Sequence, residues 1–216
     1  QVKAYSEADF FASDKSFIFN LDCCLRNKKK NLDENSLIFD LGCGPGNISQ
    51  LLALEWPVFQ VVGLDASASM IAMANKRKTK LIKNKSIKLS YEHLDVGLIS
   101  NGMEEFAVPG DVIVSNSLLH HLSNPQDLWR ASKKLGQNGS LIFHRDLRRP
   151  DSYQEAVQLQ RTYLPECPEV LKEDFLASLQ AAYTVDEVIE QLKTEDLEHF
   201  QVLLVDDRYL EVSGIL

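Results

Sequence analysis

Cysteine is scarce. The four in this chain, Cys23, Cys24, Cys43 and Cys167, form no C-x-x-C pair and have no histidine at ligand spacing. That leaves a structural zinc site and a disulfide framework without support, and reduced thiols fit an intracellular protein. No apolar run reaches the roughly 18 residues of a membrane-spanning helix. The opening residues lack the charged, apolar and small order of a secretory leader, and a cytoplasmic location is the expectation. Positive charge is in short supply as well: 23 Lys and Arg stand against 31 Asp and Glu, a net charge of −8. A general affinity for nucleic acid or anionic membrane is therefore not expected, because such binding accumulates from Lys and Arg. Two basic runs, 26–30 and 76–85, fall where helices should end, where their role is a solvated face that offsets the helix dipole. No repeat or low-complexity tract divides the chain. Its 216 residues, 44% hydrophobic, suffice for one domain with a substantial core.

What the chain does have is a concentration of glycine. Three of its ten glycines lie in Leu37-Ile-Phe-Asp-Leu-Gly-Cys-Gly-Pro-Gly-Asn47, between an apolar run of strand character and the helical pattern 48–54. Glycine is required where backbone turns sharply or a ligand comes within contact distance, and this turn delivers the chain to a helix N-terminus. The dinucleotide fingerprint is G-x-G-x-x-G. Here Gly42, Gly44 and Gly46 alternate instead, and Asp40 precedes them, a carboxylate that opposes a pyrophosphate but suits a cationic or zwitterionic ligand. A second buried strand, 58–64, ends in Asp65, which lies 21 residues after Gly44. About 20 residues is the expected separation for an acid that accepts from ribose hydroxyls. Capping of the next helix is the competing role, for which Ser67 is a rival.

Asp40-Leu-Gly-Cys-Gly-Pro-Gly46 resembles motif I of the class I S-adenosylmethionine-dependent methyltransferases, and the resemblance covers most of residues 35–146. It implies an α/β fold: a doubly wound, mainly parallel seven-stranded sheet with an antiparallel last strand. It implies S-adenosylmethionine as cofactor, with the backbone of Gly42, Cys43, Gly44 and Gly46 at the methionine part and Asp40 near its ammonium. Asp65, with Ala66 and Met70, would serve the ribose. Asp95 would accept from the adenine amino group beside Leu94, with Glu92 as a competitor, and Ser115 and Asn116 would complete the cofactor contacts at the fourth strand's end.

The rest of the chain supports one domain, 1–216, in four parts: an N-terminal helical lid (1–30), a cofactor-binding core (31–147), a helical insertion over the substrate pocket (148–183) and a last helix with a terminal hairpin (184–216). In the first part a helix from about Ser13 turns Phe17, Leu21, Cys24 and Leu25 to one side. Either it packs on the sheet or it closes over the cofactor, with Tyr5, Phe10 and Phe11 lining the site and Tyr5 a candidate catalytic group. A helix over 69–83, strands at 87–91 and 111–115, a helix over 125–135 capped by Asn124, and a strand at 140–143 follow. Thr184-Val-Asp-Glu187 has the form of a capping box opening a helix to Leu197, before paired strands at 200–205 and 209–213.

Asn116-Ser-Leu-Leu-His-His-Leu122 follows the fourth strand, where open α/β sheets place reacting ligands. It lacks the two prolines and aromatic that follow Asn or Asp in methyltransferases of exocyclic base amines, and it resembles the small-molecule enzymes instead. His120 and His121 are candidate catalytic groups; neighbours on a helical turn point about 100° apart, so both cannot face the substrate, a core or capping role is the default for either, and one of them is the candidate base or hydrogen-bond partner. Arg145, Arg148 and Arg149 at the fifth strand's exit would bind a substrate carboxylate or phosphate, or else pair with Asp146, Asp151 and Glu155. The expected activity is transfer of a methyl group to a small-molecule acceptor, with no metal required. The alternatives are a cofactor-binding regulatory or partner protein without turnover, and, further off, a nicotinamide-dependent oxidoreductase. Nothing in the pattern sets an oligomeric state.

Overall fold

The computed structural model describes residues 11–30, 32–82, 87–103 and 106–216. At its centre is β1 (Leu37–Leu41), whose five residues are all buried, as a strand covered on both faces must be. Alternation along it sends Ile38 and Asp40 to one face of the sheet and Leu37, Phe39 and Leu41 to the other. β1 lies parallel to β2 (Gln60–Asp65) on one side and to β4 (Gly110–Asn116) on the other. β3 (Lys88–His93) extends the sheet beyond β2, and β5 (Gly136–Leu147) beyond β4. β7 (Tyr209–Ile215) runs antiparallel to β5, and β6 (Gln201–Leu204) antiparallel to β7. The order is β3-β2-β1-β4-β5-β7-β6, seven strands. The chain therefore leaves β1 for opposite sides of the sheet, and the crevice outside the carboxyl ends of β1 and β4 is where such folds take ligands.

One face carries α1 (Phe11–Asn27), α2 (Asn47–Glu55) and α3 (Ala68–Ile82), which bury Phe17, Leu21, Leu52 and Ala74 against Val61, Val112 and Phe143. The other carries α4 (Val96–Ser100), α5 (Gln126–Leu135) and α8 (Val185–Thr194), packed through Ile99, Trp129, Leu135 and Leu192. A smaller cluster joins α6 (Tyr153–Tyr163) and α7 (Glu169–Ala181) to Leu147 and Tyr209 at the far end of β5 and the start of β7. The insertion is thus seated where β5 leaves the sheet.

Several boundaries differ from the sequence expectation. β2 starts at Gln60 because residues 56–59 close a turn, Phe59 N–H donating to Trp56 O. β3 continues to His93, paired with Asp65, and β5 begins at Gly136, opposite Gly110. α4 was not expected from its five residues. α8 stops at Thr194, before the expected Leu197, where Asp196 takes a positive φ of 59°. Pro125 rather than Asn124 is the cap position of α5, although Asn124 Oδ1 still accepts from Gln126 N–H at 3.3 Å. The Thr184–Glu187 capping box forms as read. Of the proposed lid, Tyr5 and Phe10 lie outside the described residues, as does the side chain of Phe11. α1 itself packs on α2 and β5, its Phe17 ring edge-on to Phe143 at 5.2 Å.

Candidate active site

The glycine turn after β1 occupies left-handed backbone at all three glycines, with φ of 65° at Gly42, 54° at Gly44 and 85° at Gly46. A side chain at Gly42 would meet Leu118 Cδ1 at 2.6 Å, and one at Gly46 would enter the hydroxyl of Tyr91. Among the described residues, nothing lies within 4 Å of the corresponding position on Gly44. The turn is clamped at both ends and open in the middle. Asp65 fixes its height: Oδ2 accepts from Gly44 N–H at 2.8 Å, and Oδ1 from Ser67 N–H at 2.8 Å. Ser67 in turn caps α3, its hydroxyl accepting from Met70 N–H at 3.4 Å. Each oxygen of Asp65 keeps a lone pair for a further donor.

Beneath this turn is a buried polar layer. Asp40 is 1% exposed and accepts from the Ser49 hydroxyl at 2.5 Å. Burial raises its carboxyl to about 7, with the charges of Asp65 and Asp14 adding to the rise and Ser49 opposing it. Burial also pushes the Cys43 thiol and the Tyr91 phenol well above their ordinary values. α1 reaches this layer through Asp14, which accepts from Asn47 Nδ2 at 3.2 Å, and Arg77 donates to Asn47 Oδ1 at 2.6 Å and to Pro45 O at 3.2 Å.

The exit of β4 forms the facing wall. Ser117 has a positive φ of 59° and donates its N–H to Arg145 O at 2.9 Å, which throws Leu118 onto Gly42 and leads into a 3-10 turn, Leu119–His121. Asp146 holds that turn with both oxygens, accepting from Leu119 N–H at 2.6 Å and from His120 Nδ1 at 2.5 Å. His120 is buried, whereas His121 is exposed, and their rings lie 4.0 Å apart at a tilt of 41°. Desolvation and the neighbouring His120 lower the His121 pKa from its ordinary value, against opposing contributions from Asp146, Asp174 and Asp65. Helix α7 packs against the turn. Asn116 Oδ1 is buried with no hydrogen-bond partner among the described residues.

Other residues of the sequence reading are held differently. The Ser115 hydroxyl is bonded to His144 Nδ1 at 2.8 Å, and Ser132 takes the other ring nitrogen at 2.9 Å. His144 is thus a core residue, its pKa lowered to about 3 by burial. Asp95 is exposed and caps α4, accepting from Gly97 N–H at 2.7 Å. Leu94 and Met70 are half-buried, and Ala66 O is engaged by His93 Nε2 at 2.9 Å. Arg145 is 1% exposed, and its Nε lies 2.8 Å from Glu211 Oε1. It also donates to Ser13 O at 3.2 Å and Ser16 Oγ at 3.4 Å, tying α1 to the sheet. Arg148 pairs with Glu155 at 2.9 Å, and Arg149 pairs with Glu187. Glu155 was among the expected partners; Glu211 and Glu187 were not, and Asp146 serves His120 instead. Asp146, Asp174 and Leu118 were absent from the candidate site residues. Only Asp146 left a signal, a carboxylate at a strand exit.

A seven-stranded sheet in this order, with a glycine turn leaving its middle strand toward an acid at the end of the next, defines the class I methyltransferase fold. Residues 32–201 match the family model described as a methyltransferase domain, and the chain belongs to that family. Among curated proteins it is 30% identical over 147 residues to a trans-aconitate 2-methyltransferase of Methylobacterium nodulans, covering 67% of this chain and 48% of that protein. It is 29% identical over 119 residues to a malonyl-[acyl-carrier protein] O-methyltransferase of Paenibacillus sp., covering 55% and 41%. The chain thus spans about half the length of the curated relatives it matches. Among solved structures, the plantazolicin methyltransferase BpumL in complex with a pentazolic desmethylPZN analog and SAH superposes with a TM-score of 0.70 at 18% identity, over 99% of this chain and 87% of that one. A SAM-dependent methyltransferase from Aquifex aeolicus gives 0.59 at 16%, over 89% and 87%.

Proposed function

We propose that this domain binds S-adenosylmethionine across the carboxyl ends of β1 and β2 and transfers its methyl group to a small-molecule acceptor at the exit of β4. The observation that carries the reading is the open, left-handed Gly44, its N–H held by an Asp65 that keeps accepting capacity on both oxygens. The residues fit the cofactor: the space over Gly44 admits a ligand against bare backbone, and Asp65 gives the turn the negative field that an ammonium prefers. S-adenosylmethionine, when bound, supplies a methyl group already activated by a sulfonium. What remains for the chain is to bind, align and deprotonate, and alignment can supply most of the acceleration.

In this reading Asp65 accepts from the ribose hydroxyls, the Gly42–Gly46 backbone meets the amino-acid tail, and Ala66, Met70, Leu94 and Asp95 border the base. Ser115 supports the wall from behind through His144, and Asn116 offers its unpaired Oδ1 to a donor on the ligand. His121, exposed and held neutral, accepts the proton of the acceptor, while Asp146 and His120 fix the turn that presents it.

A thermal-unfolding screen tests the cofactor. S-adenosylhomocysteine at about 100 times its Kd stabilises by about 2.7 kcal/mol, an upward shift of about 5–10 °C for a chain of this size. NAD at the same concentration is expected to give none, and the reverse result overturns the proposal.

A further inference from the structure

The charges around the histidine turn select among acceptors. The curated relatives named above act on carboxylic acids, for which free guanidinium groups would be the natural binders. Here each of the three arginines at the β5 exit is paired with a glutamate: Arg145 with Glu211, Arg148 with Glu155 and Arg149 with Glu187. Arg145 is also sealed from solvent. Facing His121 are the neighbouring ring of His120, which disfavours its protonation, and three carboxylates that favour it, Asp146 from the β5 exit, Asp174 from α7 and Asp65 from β2. Asp65 and Asp146 are each held by two hydrogen bonds from within the chain. Asp174 is different: half-buried on the helix that packs over the turn, it has no hydrogen bond or ion pair among the described residues.

We propose that the methyl acceptor is an amine arriving as its ammonium, and that Asp174 holds it over the histidine turn. The inference rests on the methyl-transfer reading above and adds the acceptor class. An ammonium has no free electron pair, so one N–H proton first passes to the unprotonated nitrogen of His121. The freed pair on nitrogen then forms the N–CH3 bond as the C–S bond breaks, its electrons remaining on sulfur as a thioether. The product leaves as a methylated ammonium, and His121 returns its proton to water. A carboxylate acceptor would need no base, and would meet Asp174 as a like charge.

The test measures S-adenosylhomocysteine release with matched probes: benzylamine, cyclohexylamine and putrescine against benzoate, cyclohexanecarboxylate and succinate. Turnover is expected among the amines and not among the acids. Asp174→Asn, of the same shape, should lower kcat/KM for the amine by about 10- to 100-fold, the range for a lost charge-assisted hydrogen bond. It should also move the acidic limb of the pH–rate profile downward, since Asp174 raises the proton affinity of His121. Glu173→Gln, at the neighbouring exposed position, should leave the rate unchanged. S-adenosylhomocysteine affinity should stay within about twofold in both variants. Methylation of the acids, undiminished amine turnover in Asp174→Asn, or turnover of no amine by protein that binds S-adenosylhomocysteine each overturns the proposal. Failure of wild type to bind S-adenosylhomocysteine would instead overturn the methyl-transfer reading beneath it.

Discussion

Replacing Asp40 by Asn should stabilise the protein in neutral and alkaline solution. The carboxyl is 1% exposed and its pKa is raised from 3.8 to about 7, first by burial and then by the charges of Asp65 and Asp14. Between those two values the folded protein holds a proton that the unfolded chain has released, so stability falls as pH rises through that window and levels off above about 7. At about 1.4 kcal/mol per pH unit the full shift corresponds to about 4 kcal/mol. About 3 kcal/mol of this falls between pH 5 and pH 8. Asn has the shape of the protonated acid and keeps an oxygen for the Ser49 hydroxyl, so the substitution removes the titration without opening a cavity. The wild type alone would not reveal this, because His144, lowered to about 3 by burial, contributes the opposite slope. Its stability is present above its unfolded value of 6.5 and is lost as pH falls. The assay is therefore the difference between urea-unfolding free energies of Asp40→Asn and wild type from pH 5 to pH 9. A difference favouring Asn that grows with pH and flattens above about 7 is expected; one that stays constant refutes the reasoning.

Other outcomes follow from the same geometry. Gly44→Ala should keep the fold, at about 1 kcal/mol for the left-handed backbone, yet lose S-adenosylhomocysteine binding, because its new methyl occupies the open space over the turn. Gly46→Ala should instead destabilise by about 1–3 kcal/mol in urea, since its methyl enters Tyr91. Arg145→Met strands Glu211 in the core and should cost about 3–5 kcal/mol, most of it recovered in the double variant with Glu211→Leu. The pH–rate profile should show an acidic limb below the ordinary histidine value of 6.5, and His121→Ala should abolish that limb; its survival would reassign the base.

The sheet was legible because its strands are short apolar runs with turn residues between them, and the tight turn after β1 because three alternating glycines leave few other backbone paths. The capping box was legible for a like reason: a local device spans four residues and carries its own chemistry. Pairings across the sheet were not. Arg145 meets Glu211 across an antiparallel pair, and Arg149 meets Glu187 at the start of α8, contacts that no periodicity records. Asp95 read as a ligand contact because the motif's order suggested it, while α4, too short to show a helical period, gave no hint that the same carboxylate caps it. His120 and His121 could be told apart as to role but not as to which, since only the position of Asp146 decides which ring is buried.

The central claim is that Asp65 and the open glycine turn together make a site for S-adenosylmethionine. Calorimetric titration of S-adenosylhomocysteine into wild type and Asp65→Ala tests it most directly. Saturable binding to wild type, weakened at least about 100-fold by a substitution that removes two charge-assisted contacts, is the expected result. No binding to the folded wild type, or equal affinity in the variant, would contradict the account.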